Sequence, residues 1–313
     1  MGKILVIGSL NMDFVVNVKH MPQVGETLLA DSLEFIPGGK GANQAYALGK
    51  LGADVTMLGA VGNDSYGDIQ IEGLKAVGVD TTHIERIEGV NTGIALINVN
   101  EKGDNSIIVV QGANKYVSRE YIDKNLKVIE ESDIVIFQLE IPIDTVAYAA
   151  KKAKGLGKTV ILDPAPAPDS IPEDLLANVD IIKPNETELV KLTGIEEVDG
   201  CMNKAVDTIK KQGVKTVIVT LGGKGSFVSG QNNVVKHIST EDVKVIDTTA
   251  AGDSFIASMA LYLSKGKDII AAVKFANHVA SISVTRKGAQ SSMPSMEEVE
   301  KYISEIGSKG GII

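Results

Sequence analysis

The residues with the plainest chemical possibilities stand at 247–255, Asp-Thr-Thr-Ala-Ala-Gly-Asp-Ser-Phe. Before them, Val243-Lys244-Val245-Ile246 reads as a strand; after them, Phe255, Ile256, Met259 and Tyr262 recur at helical spacing. Ala250, Ala251, Gly252 and Asp253 are therefore expected at a helix N-terminus. There the first backbone N–H groups have no helical partner, and the helix dipole favours negative charge. Side chains this small let a phosphate approach the backbone. Asp253 is then placed to take a proton from an attacking hydroxyl while the amides hold the charge building on a transferred phosphoryl group. An Asp at a helix start is also a common cap, so the stretch needs support from elsewhere in the chain.

Three other segments could share in that chemistry. Residues 36–47, Ile-Pro-Gly-Gly-Lys-Gly-Ala-Asn-Gln-Ala-Tyr-Ala, make a glycine-rich entry into a helix. Its backbone could lie against the hydroxyls of a polyol, and Asn43 can both donate and accept. A flexible turn with a cap explains the same residues. The segment lacks the GxxxxGK[ST] spacing of a Walker A loop. Residues 183–188, Lys-Pro-Asn-Glu-Thr-Glu, follow a strand and open a helix. Asn185 and Glu188 share one face of the first turn and suit a hydrated Mg²⁺ beside phosphates, since Mg²⁺ keeps several waters. The alternative is a capping box. Residues 220–225, Thr-Leu-Gly-Gly-Lys-Gly, end a further buried strand and could follow nucleotide phosphates, or simply turn.

The elements that must position these residues alternate along the chain. Apolar runs at 3–9, 55–61, 133–139, 159–163, 180–183 and 216–221 read as strands buried on both faces. Helices are expected near 41–52, 64–78, 118–131, 143–156, 200–212, 252–265, 267–285 and 295–307. Strands alternating with helices imply a mostly parallel sheet covered on both sides, in the α/β class. The candidate loops fall at the carboxyl ends of those strands, the edge where open α/β sheets bind ligands. Two regions, about 10–37 and 92–111, break the alternation and read as some four strands of a small separate sheet, including a hairpin around Glu101–Asn105. Too small to bury both its faces, that sheet should cover a ligand, a partner subunit or both.

Composition bounds the function. The chain has 313 residues, 44% hydrophobic and 23% charged, which is ordinary for a globular protein. With 4% aromatics, no Trp, a net charge of −9 and no basic face, it is not expected to bind nucleic acid. No apolar run is long enough to span a bilayer, so no membrane role is expected. The N-terminal apolar run is too short for a signal peptide. A single cysteine, Cys201, rules out an intrachain disulfide and points to a reducing compartment, hence the cytoplasm. The missing G-x-G-x-x-G after the first strand argues against a nicotinamide-dependent dehydrogenase.

Taken in order, the motifs resemble the PfkB carbohydrate kinase family over essentially the whole chain. They are Asn11-Met12-Asp13, Gly38-Gly39-Lys40-Gly41-Ala42-Asn43-Gln44-Ala45, Asp163-Pro164-Ala165-Pro166-Ala167, Pro184-Asn185-Glu186-Thr187-Glu188, Thr220-Leu221-Gly222, the 247–255 stretch and Thr285-Arg286-Lys287-Gly288-Ala289-Gln290. The resemblance implies a three-layer α/β/α kinase domain spanning 1–313, with a discontinuous β lid from about 10–37 and 92–111. It implies an ATP-dependent kinase for D-ribose at O5, or for another small acceptor such as fructose, deoxyribose or a nucleoside; a non-catalytic sugar binder is the remaining alternative. The sugar would be held by Asn11, Asp13, Gly39, Lys40, Gly41, Asn43 and Glu140, with Asp253 as the base and Ala250, Ala251 and Gly252 as the anion hole. ATP would lie along Asn185, Thr220, Gly222, Gly223, Gly225, Gly252 and Asn277. Asn185 and Glu188 would hold Mg²⁺, mainly through water. The resemblance also implies a monovalent cation, K⁺, near Asp247, Thr249, Ser283, Arg286, Gly288 and Ser292, mostly on carbonyl oxygens, and a homodimer through paired lids. One departure is Ile256-Ala257, where Asn-Gly often follows in such kinases; inside the helix it should alter packing only. His278 is expected to pack rather than to react.

Overall fold

The run Ile4-Leu5-Val6-Ile7 is apolar at every position because it forms a central strand that faces helices on both sides. Ile4 and Val6 point into one core, Leu5 and Ile7 into the other. The computed structural model describes residues 2–30, 32–196, 198–231 and 234–309. Asp31, within the proposed lid segment, lies outside the described residues.

In chain order the strands are β1 (Ile4–Ile7), β2 (Asn11–Val18), β3 (Leu33–Gly38), β4 (Val55–Leu58), β5 (Ala60–Gly62), β6 (Glu85–Ile87) and β7 (Gly93–Asn100). They continue as β8 (Asn105–Val110), β9 (Ile134–Phe137), β10 (Thr159–Leu162), β11 (Ile181–Ile182), β12 (Thr216–Thr220), β13 (Ser226–Ser229) and β14 (Val235–Ile238). Eight of these form the main sheet in the order β14-β13-β12-β11-β10-β9-β1-β4. It is parallel from β4 to β12, and the β13 and β14 hairpin extends it antiparallel.

Two cores flank the sheet, which makes three layers. One packs the helices Lys40–Lys50, Ala251–Ser264 and Ile269–Ser283 against the even-numbered side chains of β1. The other packs Ile143–Gly155 and Val198–Lys210 against Leu5, Ile7 and Phe137. Most of these side chains are fully buried, which contributes about 1.5–3 kcal/mol for each large aliphatic one.

A second sheet, β3-β2-β7-β8, stands apart from the first. Here β2 pairs antiparallel with β3 and parallel with β7, and β7 and β8 form the 92–111 hairpin. Its outer strand is open: Ile107 is 53% and Ile108 63% exposed, and Phe35 on β3 is 51% exposed.

Three expectations need correction. Val243–Ile246 is not a strand. The amide of Ile246 donates to the Val284 carbonyl at the end of the Ile269–Ser283 helix (2.8 Å), not to a sheet neighbour, and Val245 and Ile246 remain exposed. The helix expected over 118–131 is two helices, Arg119–Lys124 and Leu126–Glu131. They meet at Asn125, whose side-chain amide takes the Tyr121 carbonyl (2.9 Å), a short polar side chain competing with the helix backbone. The run 55–61 divides at Gly59, whose amide and carbonyl are both held by the Tyr121 hydroxyl; beyond it β5 pairs with β6 instead.

Candidate active site

Asp253 lies in the first turn of the Ala251–Ser264 helix and is 4% exposed. The turn before it is tight: Ala250 has φ 58°, the only non-glycine with positive φ among the described residues. This conformation costs a residue with a Cβ roughly 1 kcal/mol. The Ala251 amide closes the turn on the Thr248 carbonyl (3.2 Å). The amides of Ala250, Gly252 and Asp253 have no acceptor among the described residues. Of the anion hole read from the sequence, Ala250 and Gly252 thus keep free amides, Ala251 spends its amide on the turn, and the Asp253 amide is free beside them.

Both oxygens of Asp253 are held. Gln44 Nε2 donates to Oδ1 and Asn43 Nδ2 to Oδ2, each at 3.0 Å. Gln44 also donates to Asp163 (2.9 Å) and accepts from Gln138 (2.6 Å), so its amide is fixed from three sides. Burial drives the Asp253 carboxyl above the usual carboxylate range; Lys40, Gln44 and Asn43 oppose the rise and Asp163 adds to it. A carboxylate held high and aimed from a helix mouth is suited to accept a proton.

On one side of Asp253 lies a cavity of about 510 Å³, within the usual range for a small-molecule site. Asn185, Thr220, Gly222, Gly223, Gly225 and Asn277 line it. Ala250, Ala251, Gly252, Asp253, Lys40 and Glu188 line it as well. The three loops singled out from sequence thus converge on one space with the helix mouth. Asn277 is held in its wall by Ser226 and the Ile238 carbonyl. Asn185 and Glu188 form a complete capping box at the Glu186–Thr193 helix, each side chain accepting from the other's amide at 2.8 Å. That engages Glu188 Oε2 and leaves Oε1 without a hydrogen bond among the described residues. Burial and Asp163 hold the Glu188 carboxyl above its usual range. A crowded carboxylate with a free oxygen fits a divalent cation arriving with a nucleotide.

On the other side sits a polar group built from β2, β3 and the start of the Lys40–Lys50 helix. Glu140 Oε2 accepts from the Ser9 hydroxyl (2.5 Å), the Lys40 amide (3.1 Å) and Asn11 Nδ2 (3.3 Å). Gly39 caps the helix with φ 88°, and Gly41 packs its backbone against Ser9. Asn43 Oδ1 is buried with no partner, an acceptor available to a ligand hydroxyl. Lys40 is shared by both sides. Burial works against its charge, but Asp253, Asp163, Glu140 and Glu188 outweigh it and hold its pKa above the usual lysine value.

Asp13 joins this group, and burial, with Glu140 and Asp253 adding, raises its pKa from 3.8 to about 7. Between those values the folded protein binds more protons at Asp13 than the unfolded chain does. Stability from this residue therefore falls as pH rises through about 4 to 7. Relative to the parent, Asp13→Asn should gain melting temperature as pH is raised from 5 to 8. Parallel melting curves for the two proteins by scanning calorimetry would remove Asp13 as the source.

The six residues assigned to the monovalent cation gather behind the helix mouth. Asp247 ties their two loops together: its carboxylate accepts from the Thr249 amide (2.9 Å) and hydroxyl (2.6 Å) and from the Gly288 amide (2.8 Å). The Ser283 and Ser292 hydroxyls lie 3.2 Å apart. The carbonyls of Asp247, Thr249, Arg286 and Gly288 accept no backbone hydrogen bond among the described residues, which suits a weakly hydrated cation. The Arg286 guanidinium leaves for Glu298 (2.7 Å), so its charge is spent elsewhere.

Sequence reasoning missed Ser9 and Gln138, and named Gln44, Asp163 and Lys183 only as parts of motifs, without a role. None has a spacing signal; each matters because distant segments meet.

The pfkB family carbohydrate kinase model matches residues 1–296. The chain is 40% identical to ribokinase of Haemophilus influenzae, covering 95% of this chain and 97% of that one. It is 38% identical to deoxyribokinase of Salmonella typhi, with 96% and 98% covered. A solved structure of Arabidopsis thaliana ribokinase, complexed with ribose and ATP, superposes with a TM-score of 0.90 at 37% identity, covering 96% of this chain and 98% of that chain. With a ribokinase-like fold and a full-length match of this kind, the chain belongs to the pfkB family of carbohydrate kinases, enzymes that transfer a phosphoryl group to an alcohol.

Proposed function

We propose that this enzyme transfers the γ-phosphoryl group of ATP to O5 of D-ribose, giving ribose 5-phosphate and ADP. The position of Asp253 carries this reading: it lines a cavity of small-molecule size, is tied through Asn43 to a buried polar group, and stands beside amides without acceptors at Ala250, Gly252 and Asp253 itself. Asn11, Asp13, Gly39, Lys40, Gly41, Asn43 and Glu140 hold the sugar. Asp253 removes the O5 proton as the O5–P bond forms and the bond to the ADP oxygen breaks. The Ala250, Gly252 and Asp253 amides stabilise the charge on the migrating group. Asn185, Thr220, Gly222, Gly223, Gly225 and Asn277 hold ATP. Asn185 and Glu188 would hold the Mg²⁺ that comes with ATP, mainly through water, and the ion would supply charge neutralisation at the phosphates. The carbonyls around Asp247, Thr249, Ser283, Arg286, Gly288 and Ser292 hold K⁺. Bound there, the ion would supply charge to the 247–249 and 286–288 loops, which Asp247 ties together beside the helix mouth.

The small sheet acts as a lid over the sugar and excludes water that would otherwise accept the phosphate. The exposed apolar row on β8 and β3 supports pairing of two lids in a homodimer. No helix among the described residues is long and apolar enough to cross a membrane, and the single cysteine is in keeping with work in the cytoplasm.

ADP release measured with ribose, deoxyribose, fructose and nucleosides, with and without K⁺, tests the assignment. Ribose should give the highest kcat/KM, and K⁺ should raise it. A nucleoside or fructose preferred over ribose would overturn the substrate. Preference for deoxyribose is the second reading, favoured by the deoxyribokinase relative. Sedimentation of the same sample should give a dimer at micromolar concentration; a monomer there removes the paired lids.

A further inference from the structure

The cavity wall carries two cations among its described residues, Lys40 and Lys183, against Asp163, Glu186, Glu188, Glu241, Asp242 and Asp253. A nucleoside triphosphate adds several more negative charges, so the location of each cation matters. Lys40 is surrounded by Glu140, Asp253 and their neighbours. Lys183 has no role yet.

Lys183 directly follows β11 and is 4% exposed. A buried ammonium has three N–H donors to satisfy. This one satisfies few of them. Its ion pair with Asp163 Oδ1 is short, 3.1 Å, yet Asp163 Oδ1 has no hydrogen-bond donor among the described residues. Its other contact is the Gly252 carbonyl at a long 3.5 Å. The ammonium also lies 3.0 Å from the point where a Cβ on Gly252 would sit. It is thus pressed against the residue whose free amide opens the anion hole. Neutralising Asp163 alone would favour a well-aligned bond, because an under-bonded buried charge is costly. The geometry instead leaves donor capacity at the mouth of the helix.

We infer that Lys183 is a catalytic residue of the phosphoryl transfer, its ammonium binding the oxygens of the migrating phosphoryl group alongside the amides of Gly252 and Asp253. This rests on the reading of Asp253 and the cavity as the kinase site. Lys183 forms no covalent bond and moves no proton: the O5 proton goes to Asp253, and ADP leaves with the electron pair of the broken P–O bond. Asp163 is a positioning residue. Its second oxygen binds Gln44, which binds Asp253, so cation and base are set by one carboxylate.

Lys183→Met and the double variant Asp163→Asn/Lys183→Met separate this role from charge balance. Removing one preorganised donor to transition-state charge should cost about 10²-fold in kcat. The β,γ-imido analogue of ATP with Mg²⁺ should bind roughly tenfold more weakly, and ADP with Mg²⁺ within about threefold of the parent, since ADP lacks the contacted group. A purely structural lysine predicts that removing both buried charges restores turnover to the level of Asp163→Asn alone, the reference for what Asp163 does through Gln44. Recovery of turnover to that level in the double variant would therefore overturn the proposal, as would Lys183→Met within threefold of parental kcat. Equal weakening of ADP and the imido analogue would overturn the contact with the transferred group. If Lys183→Met alone does not fold, the double variant decides by the same split between ADP and the analogue. Assays use whichever sugar the parent enzyme accepts best. Failure of ribose as substrate therefore appears in the parent, separately from failure of Lys183.

Discussion

Asp253→Asn should lower kcat by about 10³-fold, within the range for loss of a general base, while sugar affinity stays within a few-fold of the parent. The substitution keeps the volume of a fully packed side chain, so the 251–264 helix should not shift. Its new amide group would face a donor on one side, either Gln44 or Asn43. Asn43 can absorb this, because its Oδ1 has no partner and a flip of the amide turns it from donor to acceptor. What is lost is the charge and the ability to take a proton. The pH profile should report the same group. Because burial raises the Asp253 pKa, kcat in the parent should rise with pH along a limb above the ordinary carboxylate range, and that limb should vanish in the variant. Steady-state ADP release from pH 5 to 9 and titration calorimetry with the sugar measure both parts. Turnover within tenfold of the parent, or an unchanged acid limb, would mean that another group takes the proton.

The sequence made Asp253 readable because the signal is local. Small residues before an acid, followed by Phe255, Ile256 and Met259 at helical spacing, specify a helix mouth without reference to anything distant. The central strands are equally local, since burial on both faces forces continuous apolar runs such as Ile134-Val135-Ile136-Phe137. Val243-Lys244-Val245-Ile246 carries the same apolar signal and is not a strand, because strand pairing depends on a neighbour that this segment does not have. The network behind the base was not readable for a related reason. Gln44 looks like a polar helix residue, and Lys183 before Pro184 looks like a solvated side chain. Only the sheet order, which sets the ends of β10 and β11 side by side and faces them with the 40–50 and 251–264 helices, makes them one cluster. Glu140 likewise has no local pattern; three donors from Ser9, Asn11 and Lys40 define it.

Gly39→Ala should be the most damaging single methyl in the sugar-binding half of the site. Gly39 caps the 40–50 helix at φ 88° and ψ 130°, a conformation open to glycine and strained by roughly 1–3 kcal/mol for other residues. A Cβ there would also stand 2.6 Å from the Asn11 amide nitrogen and 3.1 Å from the Leu10 backbone. These are main-chain atoms at the start of β2, tied to Asn114 and to β3, so they cannot swing aside as a side-chain tip can. Relief requires β2 and the helix start to separate. That separation moves Asn11 and the Lys40 amide, two of the donors that fix Glu140, away from it. Sugar affinity should drop about 10²-fold, the loss of two well-placed polar contacts at roughly 1.5 kcal/mol each, and the melting temperature should fall by roughly 5 °C or more. Gly78→Ala provides the matched control. Its φ is 85°, but a Cβ there meets nothing within 4 Å. It should lose stability through backbone strain alone and keep the parental sugar affinity. If the two variants lose sugar affinity equally, or if Gly39→Ala keeps it, the close approach of Gly39 to Asn11 does not shape the sugar pocket.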